Sequence, residues 1–547
     1  MTPSNKRAAP AASAQTDRFV HARLPPPEQL PRLVYPFPEL MIPDQANLVE
    51  VLFRKAIRDG HAERPFLRSD RMTLSYADAL ERVNRISQLL IEDFALVPGN
   101  RVLLRGGNSI GMALAWLGVV NAGLVAVATM PLLRAKELGE IIEKAQAVLA
   151  LCDSALLEEL ETAKAQTTTL GTIVPFNLMN EPGSLAVLSA SKDGNFNPCK
   201  VLADDIALIA FTSGTTGKPK AAVHTHRDVL AACEAWPRHV LKARPDDLVM
   251  GSPPLAFTFG LGGLLIFPMW AGASVYYPSA AYTPESMVKL IDQGQASIIY
   301  TAPTFYRQMA AFAGQHRLPR LRLCVSAGES LPDATRQLWK DATGIEIMDG
   351  IGATEMFHIF ISSAGENVRR GAIGQVVPGY TAKVVDEDGL ELPPGTIGRL
   401  AVIGPTGCRY LDDARQASYV KDGWNYPGDV FLQDADGYFF YQARADDLII
   451  TAGYNVAGPE VEQALLGHPA VAECGVVGLP DSERGMIVKA FVVLKPSEPG
   501  DEAMVAALQE HVKARLAPYK YPRQIEFLGK LPRTETGKLQ RFKLRQP

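Results

Sequence analysis

Apolar positions along the chain recur at two spacings. Short runs, Val102–Leu104, Ile206–Phe211, Leu248–Met250, Ser274–Tyr277, Ile298–Tyr300 and Leu323–Ser326, have the length and apolar content of buried strands. Longer amphipathic stretches such as Arg227–Trp236, Pro284–Gln293 and Pro303–Ala313 lie between them and predict helices. Strands alternating with helices from Leu48 to about Ala443 predict α/β layers with mostly parallel sheets. Beyond Gly371 the pattern shifts to short, turn-rich strands (Thr381–Asp386, Arg399–Val402, Tyr438–Tyr441), a β-rich subdomain. From Asp447 a compact unit follows, with helices at Pro459–Leu466 and Glu502–Leu516, strands at Val471–Leu479 and Val488–Leu494, and a Lys/Arg-rich tail. The expected fold class is α/β: a large multi-subdomain N-terminal domain, 17–443, and a small mobile α+β C-terminal domain, 447–547, joined by a hinge at 444–446. Residues 1–16, rich in Ala, Ser and Pro, read as a disordered leader. No internal repeat is visible.

One stretch calls for a membrane check. Met112 to Leu133 is nearly uncharged and long enough to span a bilayer. Asn121 and Thr129 interrupt it, Gly118 and Gly123 weaken it, and Pro131 ends it, so a buried helix running into a buried strand is expected. Composition adds little that is unusual. With 547 residues, 47% apolar and 21% charged, the chain is an ordinary globular protein too long for one core. The net charge of −4 gives no electrostatic reason to expect nucleic acid. Six cysteines form no CxxC pair, which argues against a zinc ribbon or disulfide framework and fits a reducing cytoplasm. The first residues lack an apolar export core.

Chemistry begins after the strand Ile206–Phe211. In Thr212-Ser-Gly-Thr-Thr-Gly-Lys-Pro-Lys220, six of nine residues are Thr, Ser or Gly, and Lys218 and Lys220 flank a proline. Glycines let backbone N–H groups converge on an anion, hydroxyls donate further bonds and lysines add charge, so the segment suits a polyphosphate. It is not a Walker loop, because Pro219 follows Gly217-Lys218. Read without that context, the same composition is a flexible linker.

Thr212–Lys220 resembles the signature loop of the adenylate-forming superfamily of acyl-CoA synthetases, luciferases and adenylation domains. Four further segments occur in that family's order. Gly352-Ala-Thr-Glu355 resembles "GxTE", Gly428-Asp429 the end of "TGD", Arg444-Ala-Asp-Asp-Leu-Ile-Ile-Thr-Ala-Gly453 the hinge segment, and Pro532-Arg-Thr-Glu-Thr-Gly-Lys538 "PxTxxGK". The resemblance covers about Leu48 to Arg541. It implies an enzyme that uses Mg²⁺ and ATP to convert a carboxylic acid into an acyl-adenylate and then passes the acyl group to coenzyme A.

The resemblance also implies roles. Thr212, Ser213, Gly214, Thr215, Thr216, Gly217 and Lys220 would cradle phosphates. Thr354 would meet the α-phosphate and Glu355 the Mg²⁺, which prefers hard oxygens. Asp349 would accept from the adenine N6, beside Gly350. Asp429 would accept both ribose hydroxyls, with Arg444 in support. Lys538 would stabilise charge accumulating at the α-phosphate during adenylation. Asp446 would be the hinge that lets the small domain rotate between half-reactions, and Gly453 would leave room for pantetheine. Taken one at a time, these segments are also ordinary: Thr-Glu starts helices, Pro-Gly-Asp and Asp446-Asp447 are turns, and most lysines are solvated. The nine histidines form no metal set; alternation at His224 and His226 suggests that one points inward.

Departures from the family pattern point to the substrate. Ile351 stands where an aromatic often covers adenine, Pro427 replaces the Thr of "TGD", and Phe257 replaces a His before the acyl cleft. Phe257 and Phe259 suit a flat ring. Ala302, Ala327, Gly328, Ile351 and Gly352 would leave a slot of limited depth, with His358 at its side. Asp349–Phe360 closely resembles benzoate-CoA ligases, whereas Arg23–Gln29 and Phe37–Leu40 look more like 2-aminobenzoate-CoA ligases. The expected partners are a small aromatic carboxylic acid, ATP and CoA, with no nucleic acid and no membrane; monomer and homodimer stay open. The alternatives are a medium-chain fatty-acyl-CoA ligase and a stand-alone adenylation enzyme for an aryl acid. A peptide-synthesis module would place an Asp near Phe257–Phe259, and none is there.

Overall fold

The computed structural model describes residues 13–178, 180–212, 219–280, 282–451, 454–481, 483–496, 498–533 and 539–545. Two large sheets organise the first part of the chain. In the first, parallel strands Arg101–Arg105, Val125–Thr129, Ala147–Asp153, Thr172–Phe176 and Ile206–Thr212 are joined by one antiparallel strand, Lys220–Thr225. In the second, Leu248–Gly251, Ser274–Tyr276, Ile298–Thr301, Leu323–Ala327 and Ile347–Gly352 run parallel. Ile359–Ser362 and Gln375–Val376 extend that sheet antiparallel beyond Ile347–Gly352. Each parallel run is apolar on both faces because helices cover both. The expected α/β class is met, and so is the β-rich part: Thr381–Val385, Ile397–Ile403, Asp429–Gln433 and Phe439–Arg444 pair antiparallel. A further sheet at the C-terminal end holds Ile449–Thr451, Tyr454–Val456, Val471–Asp481, Gly485–Leu494 and Gln524–Phe527, packed on helices Gly458–Leu466 and Glu502–Lys513. The second helix stops three residues before the expected Leu516, because Pro518 follows closely and the last turn is closed on Val512.

The apolar stretch questioned above is the helix Ile110–Asn121, buried at every residue but Gly111, running into the strand Val125–Thr129. Among the described residues no helix is long and apolar enough to cross a membrane. Asn121, the polar interruption, is held inside by its amide nitrogen, which donates to Asn84 and Ser87.

Two expectations need correction. Ser13 to Thr16 do not belong to a disordered leader; Met1–Ala12 lie outside the described residues. Gln15 is 2% exposed and acts as a buried splint. Its amide nitrogen donates to the carbonyls of Gly123 and Ile206, and its oxygen accepts from the Ile206 N–H at 3.1 Å. Ala, Ser and Pro around it hid a residue whose main-chain partners, at Gly123 and Ile206, lie more than a hundred positions away. The second concerns the histidine pair: both His224 and His226 are buried, not one. The strand ends at Thr225, which caps the helix His226–Trp236, and the change of element turns His226 inward as well. His226 Nδ1 accepts from the Leu48 N–H, and burial pushes its pKa down to about 3, so it is neutral.

Replacing Gln15 by Ala should cost about 1–3 kcal/mol, because it leaves the Ile206 main chain unpaired in the core. Urea unfolding of Gln15→Ala against wild type checks this; an unchanged midpoint would show that the splint is dispensable.

Candidate active site

The parallel strands of the second large sheet end along one edge, and the site grows from that edge. Register sets Thr301 beside Ser326, Ser326 beside Asp349 and Ala327 beside Gly350. Ser252 and Thr301 share a hydrogen bond of 2.6 Å on the same row. In open α/β sheets ligands bind beyond the carboxyl ends of the strands. Asp349 is buried there; its Oδ1 accepts from the Gly350 N–H, and burial raises its pKa to about 7 against the opposing pull of Arg336. Ser326, its neighbour, has a hydroxyl without a partner among the described residues. The strand runs on to Gly352, and Thr354–Met356 then form a single helical turn.

That turn is held in place from three sides. His224 Nε2 donates to the Thr354 carbonyl at 2.7 Å, and burial keeps this imidazole neutral. The Thr406 hydroxyl donates to the Met356 carbonyl at 2.8 Å. The Tyr410 hydroxyl donates to Glu355 Oε1. Phe357 closes the turn at φ 69°, ψ −48°, the strained γ-turn region, which needs the surrounding packing to persist. Lys220 lies over the Tyr410 ring, 5.3 Å from its centroid, so Lys220, Tyr410 and Glu355 form one chain. Thr212 pairs with Lys220 across the base of the signature loop. Ser213, Gly214, Thr215, Thr216 and Gly217 lie outside the described residues, as do Gly453 and Lys538.

Tyr419 stacks edge-on against Tyr410 at 5.7 Å, and its buried hydroxyl has no partner among the described residues. Burial raises its pKa, with the charges of Glu355 and Asp429 adding to the shift. Asp429 is 7% exposed and opens the strand Asp429–Gln433. Arg444 sits opposite Asp429 in the adjacent strand; its Nη1 contacts Asp429 Oδ1 at 3.1 Å and the Pro427 carbonyl at 2.9 Å. Gly428 has φ 86°, and a Cβ there would press on the Arg444 guanidinium at 3.0 Å. Asp446 is exposed on the turn Ala445–Asp447, and Arg545 pairs with its neighbour Asp447.

An aromatic nest lies beside this polar edge. The His358 ring is 4.5 Å from Phe267, 5.3 Å from Trp236 and 5.6 Å from Phe259, measured between centroids. Tyr300 adds an edge contact to Phe259 at 5.6 Å. Burial pushes the His358 pKa down to about 3, and neither ring nitrogen has a partner of normal hydrogen-bond geometry among the described residues. The Trp236 indole N–H and the Tyr300 hydroxyl are likewise unpartnered. Phe257 precedes the short helix Thr258–Leu261 and joins no ring pair among the described residues. Ala302 starts the helix Pro303–Ala313 at the end of one strand, and Ala327 and Gly328 end the next. Ile351 packs against the central core, and at Gly352 a Cβ would strike the His358 carbonyl at 2.5 Å.

The polar edge fits a nucleotide with its metal. Among the described residues no cluster of three or more His, Cys, Asp or Glu exists to hold a metal by itself. Mg²⁺ does not need one, since it usually takes one or two carboxylates together with substrate phosphates and water. Glu355 would supply such a carboxylate, and the hydroxyls of Tyr419 and Ser326 have no partner among the described residues. Tyr410, Tyr419, Trp236 and Tyr300 were not singled out from the sequence. None stands in a segment with a recognisable motif, and only the fold brings each to the site.

The chain matches the AMP-binding enzyme family over residues 53–409 and the AMP-binding enzyme C-terminal domain over 460–538. It belongs to that family. The chain is 36% identical to a benzoate–CoA ligase of Thauera aromatica, covering 93% of this chain and 97% of that protein. A 4-hydroxybenzoate–CoA/benzoate–CoA ligase of Rhodopseudomonas palustris is 34% identical over 87% of this chain and 89% of its own. Among solved structures, an anthranilate CoA ligase in complex with anthranoyl-AMP superposes with a TM-score of 0.87 at 35% identity, covering 92% of this chain and 97% of that one. A benzoate CoA ligase from Burkholderia xenovorans gives 0.82 at 30% identity, with 92% and 100% covered. The expected resemblance is met.

Tyr410→Phe tests the Glu355 anchor. Loss of a hydrogen bond to a charged group costs about 1.5 kcal/mol or more, so the KM for Mg-ATP should rise about tenfold with the fold intact. An unchanged KM across a Mg²⁺ titration would remove Tyr410 from the site.

Proposed function

We propose that this protein joins 2-aminobenzoate or benzoate to coenzyme A. It is an AMP-forming acid–thiol ligase of the aryl-CoA type, and it uses ATP, Mg²⁺ and CoA. The carboxylate of the acid attacks the α-phosphate, pyrophosphate leaves, and the CoA thiol then displaces AMP from the acyl carbon. Mg²⁺ would offset charge on the phosphates when bound. Glu355, fixed by Tyr410, would hold the ion, and Thr354 would meet the α-phosphate. Asp349 would accept from the adenine N6, and Asp429 with Arg444 would hold the ribose. Lys538 would bring a cation to the α-phosphate, where negative charge builds up in the transition state.

The observation that carries the substrate reading is the aromatic nest around His358. Phe259, Trp236, Phe267 and Tyr300 offer ring faces and edges at stacking distance. The buried polar atoms of His358, Trp236 and Tyr300 lack partners among the described residues. Such groups carry a desolvation cost until a ligand or a water satisfies them. A ring with an amino group next to its carboxylate supplies both an apolar body and a hydrogen-bonding substituent; the neutral His358 offers it one donor and one acceptor. An alkyl chain fills the same space and satisfies none of them. Relatives named for benzoate, 4-hydroxybenzoate and anthranilate support the aryl class.

The test is competition of 2-aminobenzoate, benzoate, hexanoate and octanoate in one CoA-ligation assay. The aryl acids should show the higher kcat/KM, and a higher value for either alkyl acid would refute the reading. His358→Leu should lower kcat/KM for 2-aminobenzoate about tenfold more than for benzoate. An equal loss on both acids would mean that His358 only packs.

A further inference from the structure

The C-terminal segment meets the wall of the acyl site through one arginine. Arg533 pairs with Leu539 as an isolated antiparallel bridge, and the Gln540 N–H donates to the Pro532 carbonyl at 2.9 Å. These contacts close the base of the PxTxxGK segment. Leu531 and Leu539 anchor that base among Val477, Phe491 and Leu544 in the C-terminal sheet. From there the Arg533 guanidinium reaches two carboxylates. Nη2 contacts Glu473 Oε2 at 2.8 Å, on the strand Val471–Asp481 of the same unit. Nη1 contacts Glu329 Oε1 at 3.1 Å, in the second large sheet's edge immediately after Ala327 and Gly328. The other Glu329 oxygen accepts from the Thr304 hydroxyl at 2.7 Å, which fixes the carboxylate in place.

We propose that Arg533 and Glu329 form a state-specific latch: they are positioning residues that hold the C-terminal segment against the site for adenylation and part for thioester formation. The proposal rests on the ligase function and on the rotation of the small domain between its two half-reactions. Its physical basis is the asymmetry of the two arms. Glu473 travels with Arg533, so the guanidinium stays oriented and paired whichever way the unit faces. Little side-chain entropy is then lost when the Glu329 arm closes, unlike an isolated surface pair. When the arm opens, neither charge is stranded, since Arg533 keeps Glu473 and Glu329 keeps Thr304. The pair is only partly screened, with the Glu329 side chain 15% exposed and that of Arg533 26%. A hinged enzyme needs a contact of this kind, strong enough to define one state and cheap enough to release.

The experiment separates the two half-reactions. Acid-dependent pyrophosphate exchange reads adenylation, and conversion of supplied aryl-AMP and CoA to the thioester reads the second step. Glu329→Gln keeps the shape and the Thr304 bond but removes the charge; Arg533→Gln removes it from the other side. Each should lower exchange about tenfold and leave thioester formation within twofold of wild type or above it. Glu473→Gln, which spares the arm across the interface, should lower exchange less than either. Equal loss of both half-reactions in Glu329→Gln and Arg533→Gln would make the pair a structural contact and overturn the latch. Unchanged exchange in both would overturn it as well. Wild-type protein inactive in both steps would instead refute the ligase function on which the latch depends.

Discussion

The parallel register between Leu323–Ala327 and Ile347–Gly352 is the constraint on which the rest depends. It sets Ser326 beside Asp349 and Ala327 beside Gly350, and so puts a buried carboxyl, a hydroxyl and two small residues on one edge. A slip of one residue would turn each of these side chains to the opposite face. Two-sided burial guards against that slip. Cys324 and Ile347 pack into one core, Val325 and Met348 into another, and both cores would be broken by the change. The helices that fill those cores were formed for packing, yet they also decide where the strands end, and the strand ends are where the chemistry sits.

From that edge outward the molecule accumulates buried polar groups, which are costly unless paired. Some are paired by the protein itself: Tyr410 with Glu355, His224 with the Thr354 carbonyl, Arg444 with Asp429. These fix the turn that follows Gly352 and hold Phe357 in its strained conformation. Others, the hydroxyls of Tyr419, Tyr300 and Ser326 and the nitrogens of Trp236 and His358, have no protein partner among the described residues. Burial moves the pKa values of His358 and Asp349 in opposite directions, down to about 3 and up to about 7; His358 belongs to the second kind, while Asp349 already accepts from the Gly350 N–H.

Much of this was legible in the sequence, because the motifs are contiguous. Gly352-Ala-Thr-Glu355, Asp429 and Arg444 are ordinary one at a time but recognisable by their order along the chain, and the parallel strands are continuous apolar runs. What was not legible comes from distance. Tyr410 lies 55 positions from Glu355, and nothing in Cys408-Arg-Tyr410 marks it as the anchor of a carboxylate. Gln15 looked like part of a leader because its partners are at Gly123 and Ile206. Arg533 stands within a recognisable motif, but its partners lie 204 and 60 positions away, Glu329 past the end of a strand of the second large sheet and Glu473 on the C-terminal sheet. Phe257 and Phe259, both read from the sequence as suited to a flat ring, differ in the fold: Phe259 packs against Tyr300 and His358, and Phe257 joins no ring pair among the described residues.

The central claim is that the edge built by these strands activates an aryl acid as its adenylate before CoA takes part. Phosphorus NMR of the wild-type protein with 2-aminobenzoate, Mg-ATP and no CoA tests it most directly, with pyrophosphatase present to draw the first step forward. The account predicts cleavage of ATP between the α- and β-phosphates and a mixed acyl–phosphate resonance on AMP, with thioester and free AMP appearing only on addition of CoA. Release of ADP and an acyl phosphate, or no ATP cleavage until CoA is added, would contradict it.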